Sequence, residues 1–368
     1  MTANGHGGNV HAASRELKQD LDRLVDFSAS INPLGPSRAV RQAVSKACDD
    51  LRHYPDPECW VLRRALASRW KRHPEEIVVG NGSIELIHAL PRALGLRRLL
   101  VVGPTFSEYA AAMTRCGGQI TTVLANRDQQ YAPPLEHVLH LVQRRHGSSA
   151  RKDEAIVLCH PNSPTGQACE VDAVMQMVLA AERRKLWTII DETFAEYCEE
   201  QSILRRVTGF KRVIVLRSLT KFYGLPGLRV GYALSTAEVV RRLARHLPPW
   251  SVNAVAQAAA VAALNDVPHA ERSLSFMRRE RARFTTLLQS LPGCVVFPSR
   301  VNFILMEVPE GWHAATVTAK LRRKGILIRD CSNMPGLHTR SIRLAVRTSE
   351  ENDRLVRELS GLFRREKK

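Results

Sequence analysis

The chain has no Cys-x-x-Cys pair among its eight cysteines, no internal repeat and no low-complexity stretch. The first absence removes the usual zinc and dithiol arrangements, and no metal is expected. Cys48, Cys59, Cys116, Cys159, Cys169, Cys198, Cys294 and Cys331 read as buried free thiols, several inside apolar runs. No apolar run approaches the length that crosses a bilayer. The first nine residues lack the charged-then-apolar plan of a secretory leader, so a reducing cytoplasm is the expected home. Acidic residues are also short: 36 Asp and Glu against 54 Lys and Arg leave a formal charge of +18. Such a surface draws anions. Yet zinc-finger spacing, an aromatic–glycine RNA signature and a basic heptad helix are all missing, so nucleic acid is not an expected partner. The basic residues are scattered, as in Arg183-Arg184-Lys185 and Arg278-Arg279. They read as solvated helix faces, with a share left to attract a phosphorylated substrate.

What is present is globular material: 368 residues, 44% hydrophobic, suit a large domain with a smaller one. Residues 1–36 are polar and turn-rich, and end in Asn32-Pro33-Leu34-Gly35-Pro36. They read as an arm that closes the site and joins the smaller domain. Residues 37–52 and 59–73 have helical character, split by Tyr54-Pro55-Asp56-Pro57. Short apolar runs at 77–80, 99–102, 120–123, 155–159, 186–191, 213–217 and 230–234 then alternate with amphipathic stretches. Continuous apolar runs flanked by helices belong to strands buried on both faces. The expected fold is therefore α/β: a large, mostly parallel seven-stranded sheet with helices on both faces, over 37–248. After Pro248-Pro249, long helices near 251–264 and 269–291 are expected. Short strands at 295–297, 302–308, 326–328 and 342–346 follow, with a charged helix from Glu350. These predict a smaller α+β domain over 249–368.

The residues with chemistry in them fall at strand ends. Arg217-Ser218-Leu219-Thr220-Lys221-Phe222-Tyr223-Gly224-Leu225-Pro226-Gly227-Leu228-Arg229 follows an apolar run. Lys221 sits at its mouth, where an amine can condense with an aldehyde, and Ser218 and Arg229 are spaced to reach one phosphate. Asp191 ends the preceding strand, where a buried carboxylate keeps a pyridine nitrogen protonated. Gly80-Asn81-Gly82-Ser83 opens a helix, whose free N–H groups and positive end suit a phosphate. The glycines at 224 and 227 do not follow a dinucleotide fingerprint. Each signal alone is commonplace; the set, in this order, is not.

In order, spacing and residue type these segments resemble the class I/II aminotransferase family of pyridoxal 5'-phosphate (PLP) enzymes, over almost the whole chain. The resemblance implies fold type I and PLP bound through Lys221, with Asp191 at the pyridine nitrogen. It implies that Ser218, Arg229 and the amides of Gly82, Ser83 and Ile84 hold the cofactor phosphate. Phe106, in Pro104-Thr105-Phe106, matches the aromatic that stacks on the ring. A homodimer is also implied, with Tyr54 reaching the phosphate of the neighbouring subunit. Two positions depart from the pattern. Ser163, in His160-Pro161-Asn162-Ser163-Pro164-Thr165-Gly166, stands where an Asn donates to the phenolic oxygen. Phe194, in Asp191-Glu192-Thr193-Phe194, stands where the aminotransferases carry Tyr.

Within the family, several blocks are similar to the branch that decarboxylates O-phospho-L-threonine to (R)-1-aminopropan-2-yl phosphate in cobalamin biosynthesis. They are His6-Gly7-Gly8-Asn9, the run from Asp26 to Gly35, 217–229, Pro249-Trp250-Ser251-Val252-Asn253-Ala254, Ile328-Arg329-Asp330-Cys331-Ser332-Asn333 and Arg343-Leu344-Ala345-Val346-Arg347-Thr348. That resemblance assigns His6, Gly7, Arg329 and Arg343 to substrate binding. It adds position 30, where Ser30 replaces the usual Asn. Guanidinium forks suit a substrate with a phosphate and a carboxylate. The alternative is the branch that transaminates histidinol phosphate with 2-oxoglutarate. A third reading, a non-catalytic binding protein on the same fold, sits poorly with the retained Lys221.

Overall fold

The computed structural model describes residues 6–144 and 153–365. The first five residues of the expected arm and leader region, and the last three of the expected smaller domain, lie outside them. The arm is more ordered than its composition suggests. Helix Val10–Leu17 begins where Asn9 Oδ1 accepts from the Ala12 amide, and strand β1 (Val25–Asp26) follows.

Strands β2 (Ile77–Gly80), β3 (Arg98–Gly103), β4 (Gln119–Leu124), β5 (Glu154–Cys159), β6 (Trp187–Asp191), β7 (Val213–Ser218) and β8 (Gly231–Leu234) form one seven-stranded sheet. Its order is β2-β8-β7-β6-β5-β3-β4. Only β8 runs against its neighbours. The unbroken apolar runs are explained by the two cores they serve. Leu100 and Val102 of β3, Ile156 and Leu158 of β5, and Val213 and Val215 of β7 pack on one face. Leu99, Val101, Ala155, Val157, Ile214 and Leu216 pack on the other. Neither face meets water, so polar residues have no place to alternate. The edge strand β4 is the exception and is largely exposed.

Strands β9 (Val295–Val296), β10 (Phe303–Glu307), β11 (Ile326–Leu327), β12 (Arg329–Asp330) and β13 (Ser341–Ala345) lie beyond. Four of them make an antiparallel sheet ordered β12-β13-β10-β9, while β11 pairs in parallel with β1 of the arm. Helices Ala254–Asn265 and Val267–Gln289 each start under a side-chain cap, from Asn253 to the Ala256 amide and from Asp266 to the His269 amide. Helix Ser349–Arg365 closes the chain's described part. The arm is stitched to both sides of the cleft. The Phe27 amide donates to the Leu327 carbonyl, the Ala345 amide to the Phe27 carbonyl, and the Asn32 amide to the carbonyl of Lys221. All eight cysteines are free thiols; Cys59, Cys159, Cys198 and Cys331 are buried as expected, Cys116, Cys169 and Cys294 are only half-buried, and Cys48 is exposed because it sits on a turn after helix Arg38–Ala47. Among the described residues no helix is long and apolar enough to cross a membrane.

Candidate active site

Neighbouring residues of a strand point to opposite faces, and the ends of β6 and β7 use this. Arg217 and Glu192 turn away from the cleft into a buried ionic cluster. Arg217 is fully buried, with Glu192 at 2.6 Å, Glu199 at 3.1 Å and Glu196 at 3.4 Å, and its guanidinium lies 4.7 Å from the Trp70 ring centre. Asp191 and Ser218 face the other way, into a cleft beyond the carboxyl ends of β5, β6 and β7, where ligands of open α/β sheets bind.

Asp191 is 3% exposed. It accepts from the Tyr109 hydroxyl at 2.6 Å and the Thr193 amide at 2.9 Å. Burial raises its carboxyl above the usual range, while the bonds from Thr193 and Tyr109 work against that rise. Tyr109, itself buried against Asp191, is held far from ionisation and remains a donor. Lys221 follows β7 by three residues. Burial, then repulsion from Arg343 and Arg229, push its amine from 10.5 down to about 8, with Asp26 opposing. No hydrogen-bond or ion-pair partner meets that amine among the described residues.

The floor of the cleft is built by glycine. Gly82 has φ +76°, and a Cβ there would lie 2.4 Å from Arg229 Nη2. A Cβ on Gly231 would lie 2.3 Å from the Ser83 amide nitrogen. Only hydrogen at these two positions lets the start of helix Ser83–Leu94 approach β8 and Arg229. That helix has no side-chain cap, which leaves the amides of its first turn for another acceptor. Ser218 Oγ and Thr220 Oγ1 lie 2.7 Å apart beside it.

On the wall opposite the sheet, Arg343 donates to Ser163 Oγ and to the Ser28 carbonyl, both at 2.9 Å. Its Nε is buried and unsatisfied, as are Ser30 Oγ and Thr193 Oγ1. Arg229, Arg329 and Arg343 have no carboxylate partner among the described residues. Phe106 packs edge-on to Tyr109 at 5.8 Å and lies 5.3 Å from the His6 ring. Of the residues singled out in the sequence, all line this cleft except Gly82, which underlies it against Arg229, and Tyr54. Tyr54 is 81% exposed and packs on Trp250 at 4.9 Å, outside its own cleft.

The sequence model of the aminotransferase class I and II family matches residues 22–359. The chain belongs to that family. It is 33% identical to threonine-phosphate decarboxylase of Salmonella typhimurium over 97% of this chain and 96% of that protein. It is equally 33% identical to histidinol-phosphate aminotransferase of Roseiflexus castenholzii, over 94% and 92%. Among solved structures, histidinol-phosphate aminotransferase from Sinorhizobium meliloti in complex with pyridoxal-5'-phosphate superposes with a TM-score of 0.85 at 24% identity, covering 99% of this chain and 95% of that one. The protein is thus an enzyme of the PLP-dependent, fold type I group, and its cofactor is PLP.

The cleft of this family member fits that cofactor. It offers an amine depressed toward neutrality, a buried carboxylate, an uncapped helix start in a glycine cradle, and unsatisfied buried polar atoms. When bound, PLP draws electrons from the substrate's α-carbon into its pyridinium ring. Sequence reading missed Tyr109, Glu108, Thr193, Ser28 and Met334, which also reach or brace the cleft. Tyr109 stands three residues beyond Phe106, in the first turn of helix Glu108–Arg115, and that nearness was its available signal. The departures also resolve. Ser163 is engaged by Arg343, Asn162 turns its Nδ2 to the Pro104 carbonyl at 2.8 Å and to Thr165 at 2.9 Å, and Phe194 packs on Phe303.

Proposed function

We propose that the enzyme decarboxylates O-phospho-L-threonine, giving CO2 and (R)-1-aminopropan-2-yl phosphate for cobalamin biosynthesis. The observation that carries this reading is a count of unpaired cations. Arg229, Arg329 and Arg343 share one cleft with no carboxylate partner among the described residues. One phosphate, the cofactor's, accounts for Arg229 together with Ser218 and the amides of Gly82, Ser83 and Ile84. Two guanidinium groups are left for a substrate with two anionic ends, Arg343 for the carboxylate and Arg329 for the phosphate. His6, Gly7 and Ser30 complete the substrate side, and the similarity to the Salmonella decarboxylase supports the assignment.

In this reading Asp191 holds the charge opposite the pyridine nitrogen and Phe106 covers the ring face. Ser163, tied to Arg343, takes the place of the phenolic-oxygen donor. Lys221 attaches the cofactor and then acts on protons. Once released from the cofactor, its Nζ can hold a proton and pass it to the α-carbon when the carboxylate leaves as CO2. The arm keeps water out while this happens. A homodimer is part of the proposal. Tyr54, Trp60, Val61 and Trp250 are exposed large side chains, and a second copy covering them would bring Tyr54 to the neighbouring phosphate.

The test is incubation of the PLP-loaded protein with O-phospho-L-threonine and no 2-oxo acid. CO2 and the amino-alcohol phosphate are expected. The second reading, amino transfer from histidinol phosphate to 2-oxoglutarate, draws on the equal 33% identity to the Roseiflexus enzyme. No CO2, together with glutamate formed from histidinol phosphate, replaces the first reading with the second.

A further inference from the structure

We propose that Glu108 is a positioning residue that latches the N-terminal arm over the cleft by holding His6. The latch starts from an odd placement. His6 is the first described residue of the arm and its side chain is 45% exposed, yet its Nε2 lies 2.7 Å from Glu108 Oε1. Its ring also rests against Phe106. Glu108 opens helix Glu108–Arg115, where a carboxylate is favoured by the helix dipole, and its side chain is only 14% exposed.

The second oxygen of Glu108 is committed as well. It lies 2.8 Å from His88 Nε2, and His88 Nδ1 lies 3.3 Å from Arg115 Nη1. A guanidinium can only donate, so His88 Nδ1 accepts and its proton sits on Nε2, pointing at Glu108. Burial works against an ionised Glu108, but the bonds from His88 and His6 outweigh it and hold its carboxyl below the usual range. An ionised carboxylate only accepts, so His6 also donates through Nε2. Nδ1 is then the ring atom left facing the cleft; an oxyanion only accepts, so Nδ1 meets a substrate oxyanion as an N–H donor, with the ring carrying both protons, and Glu108 decides which edge of the ring the cleft sees.

The rest of the arm cannot set this by itself. Gly7 lies against the Ser28 carbonyl, where a Cβ would come within 2.1 Å, and the Gly8 amide donates to Ser28 Oγ at 2.8 Å. Ser28 Oγ in turn donates to Asp26 at 2.6 Å. These contacts tie the arm to itself. The bond to Glu108 ties its tip to the helix after β3, across the mouth of the cleft. Nothing in the proposed chemistry touches Glu108 directly, so its effect passes through His6.

The inference uses the phosphorylated-substrate reading only for what His6 meets, and its test keeps the two apart. First, hydrogen exchange of the arm is followed on the PLP-loaded protein without substrate, for wild type, Glu108→Ala and Glu108→Gln. Faster exchange over 6–17 in Glu108→Ala is expected, with partial recovery in Glu108→Gln, which keeps one acceptor oxygen. Unchanged exchange in Glu108→Ala overturns the latch. Second, KM and kcat for O-phospho-L-threonine are measured for Glu108→Ala, His6→Ala and the double variant. KM is expected to rise roughly tenfold in Glu108→Ala with kcat within about threefold, and Glu108→Ala is expected to add nothing once His6 is gone. A loss in Glu108→Ala that persists undiminished in the His6→Ala background overturns the route through His6. Failure of the wild type to act on O-phospho-L-threonine sinks the substrate reading, while the exchange experiment still decides the latch.

Discussion

Lys221 can attack an aldehyde only as a free amine, and the cleft sets the pH at which it becomes one. Burial lowers its pKa from 10.5 to about 8, with Arg343 and Arg229 pushing in the same direction and Asp26 against. At pH 7 about one such amine in ten is neutral, against about one in 3000 for a lysine in water, a gain of about 300-fold. Mixing cofactor-free protein with PLP for a fixed short time, from about pH 6 to about pH 10.5, and quenching with borohydride fixes the product at the reacting residue. Mass spectrometry then counts the label. The yield at the peptide holding Lys221 is expected to rise through a midpoint near 8. Arg343→Met removes the larger of the two repulsive charges and should carry that midpoint upward. A wild-type midpoint at about 10 or above, or a label on a different lysine, refutes the reasoning.

Three further outcomes follow from the same geometry. Gly82→Ala forces a Cβ to within 2.4 Å of Arg229 Nη2 at φ +76°, so PLP affinity should fall by roughly tenfold or more in an absorbance titration; unchanged affinity removes the cradle argument. Arg217→Met leaves Glu192, Glu196 and Glu199 clustered without their cation, at a cost of about 3–5 kcal/mol in urea unfolding; a loss below about 1 kcal/mol contradicts it. Glu196 is raised from 4.5 to about 7, first by burial, with Arg217 opposing and Glu199 adding. The folded protein therefore keeps a proton that the unfolded chain releases: this contribution is full below about pH 4.5 and is lost as pH rises through about 7. Glu196→Gln should flatten that decline, as read from urea midpoints on either side of the window.

How much could be read in advance differs by element. The strands ending in Asp191 and Ser218 were legible to within a residue because both faces are buried and each run, Thr188 apart, is apolar up to its polar end at the cleft. The two-residue strands Val25–Asp26 and Arg329–Asp330 were not, since two residues carry no period and these are half or wholly polar, whereas the equally short Val295–Val296 and Ile326–Leu327 lie in apolar runs. The helix in the arm was hidden by its polar composition, with Ala13 its one buried residue. Cys48 was misplaced for a similar reason: an apolar-looking residue at a helix end takes its exposure from which side of the turn it falls on.

Residue types and spacing alone pointed to the sheet, to the lysine proposed to carry the cofactor and to the family in which that chemistry occurs, because each depends on neighbours a few positions apart. Tertiary structure decided the rest. Tyr109 bonds to Asp191 across 82 positions, Glu108 to His6 across 102, and Arg343 to Ser163 across 180. Such contacts form only when the arm, the large sheet and the last strands close on one cleft. The depressed lysine has the same origin, since neither its burial nor the arginines around it exist until the chain has folded.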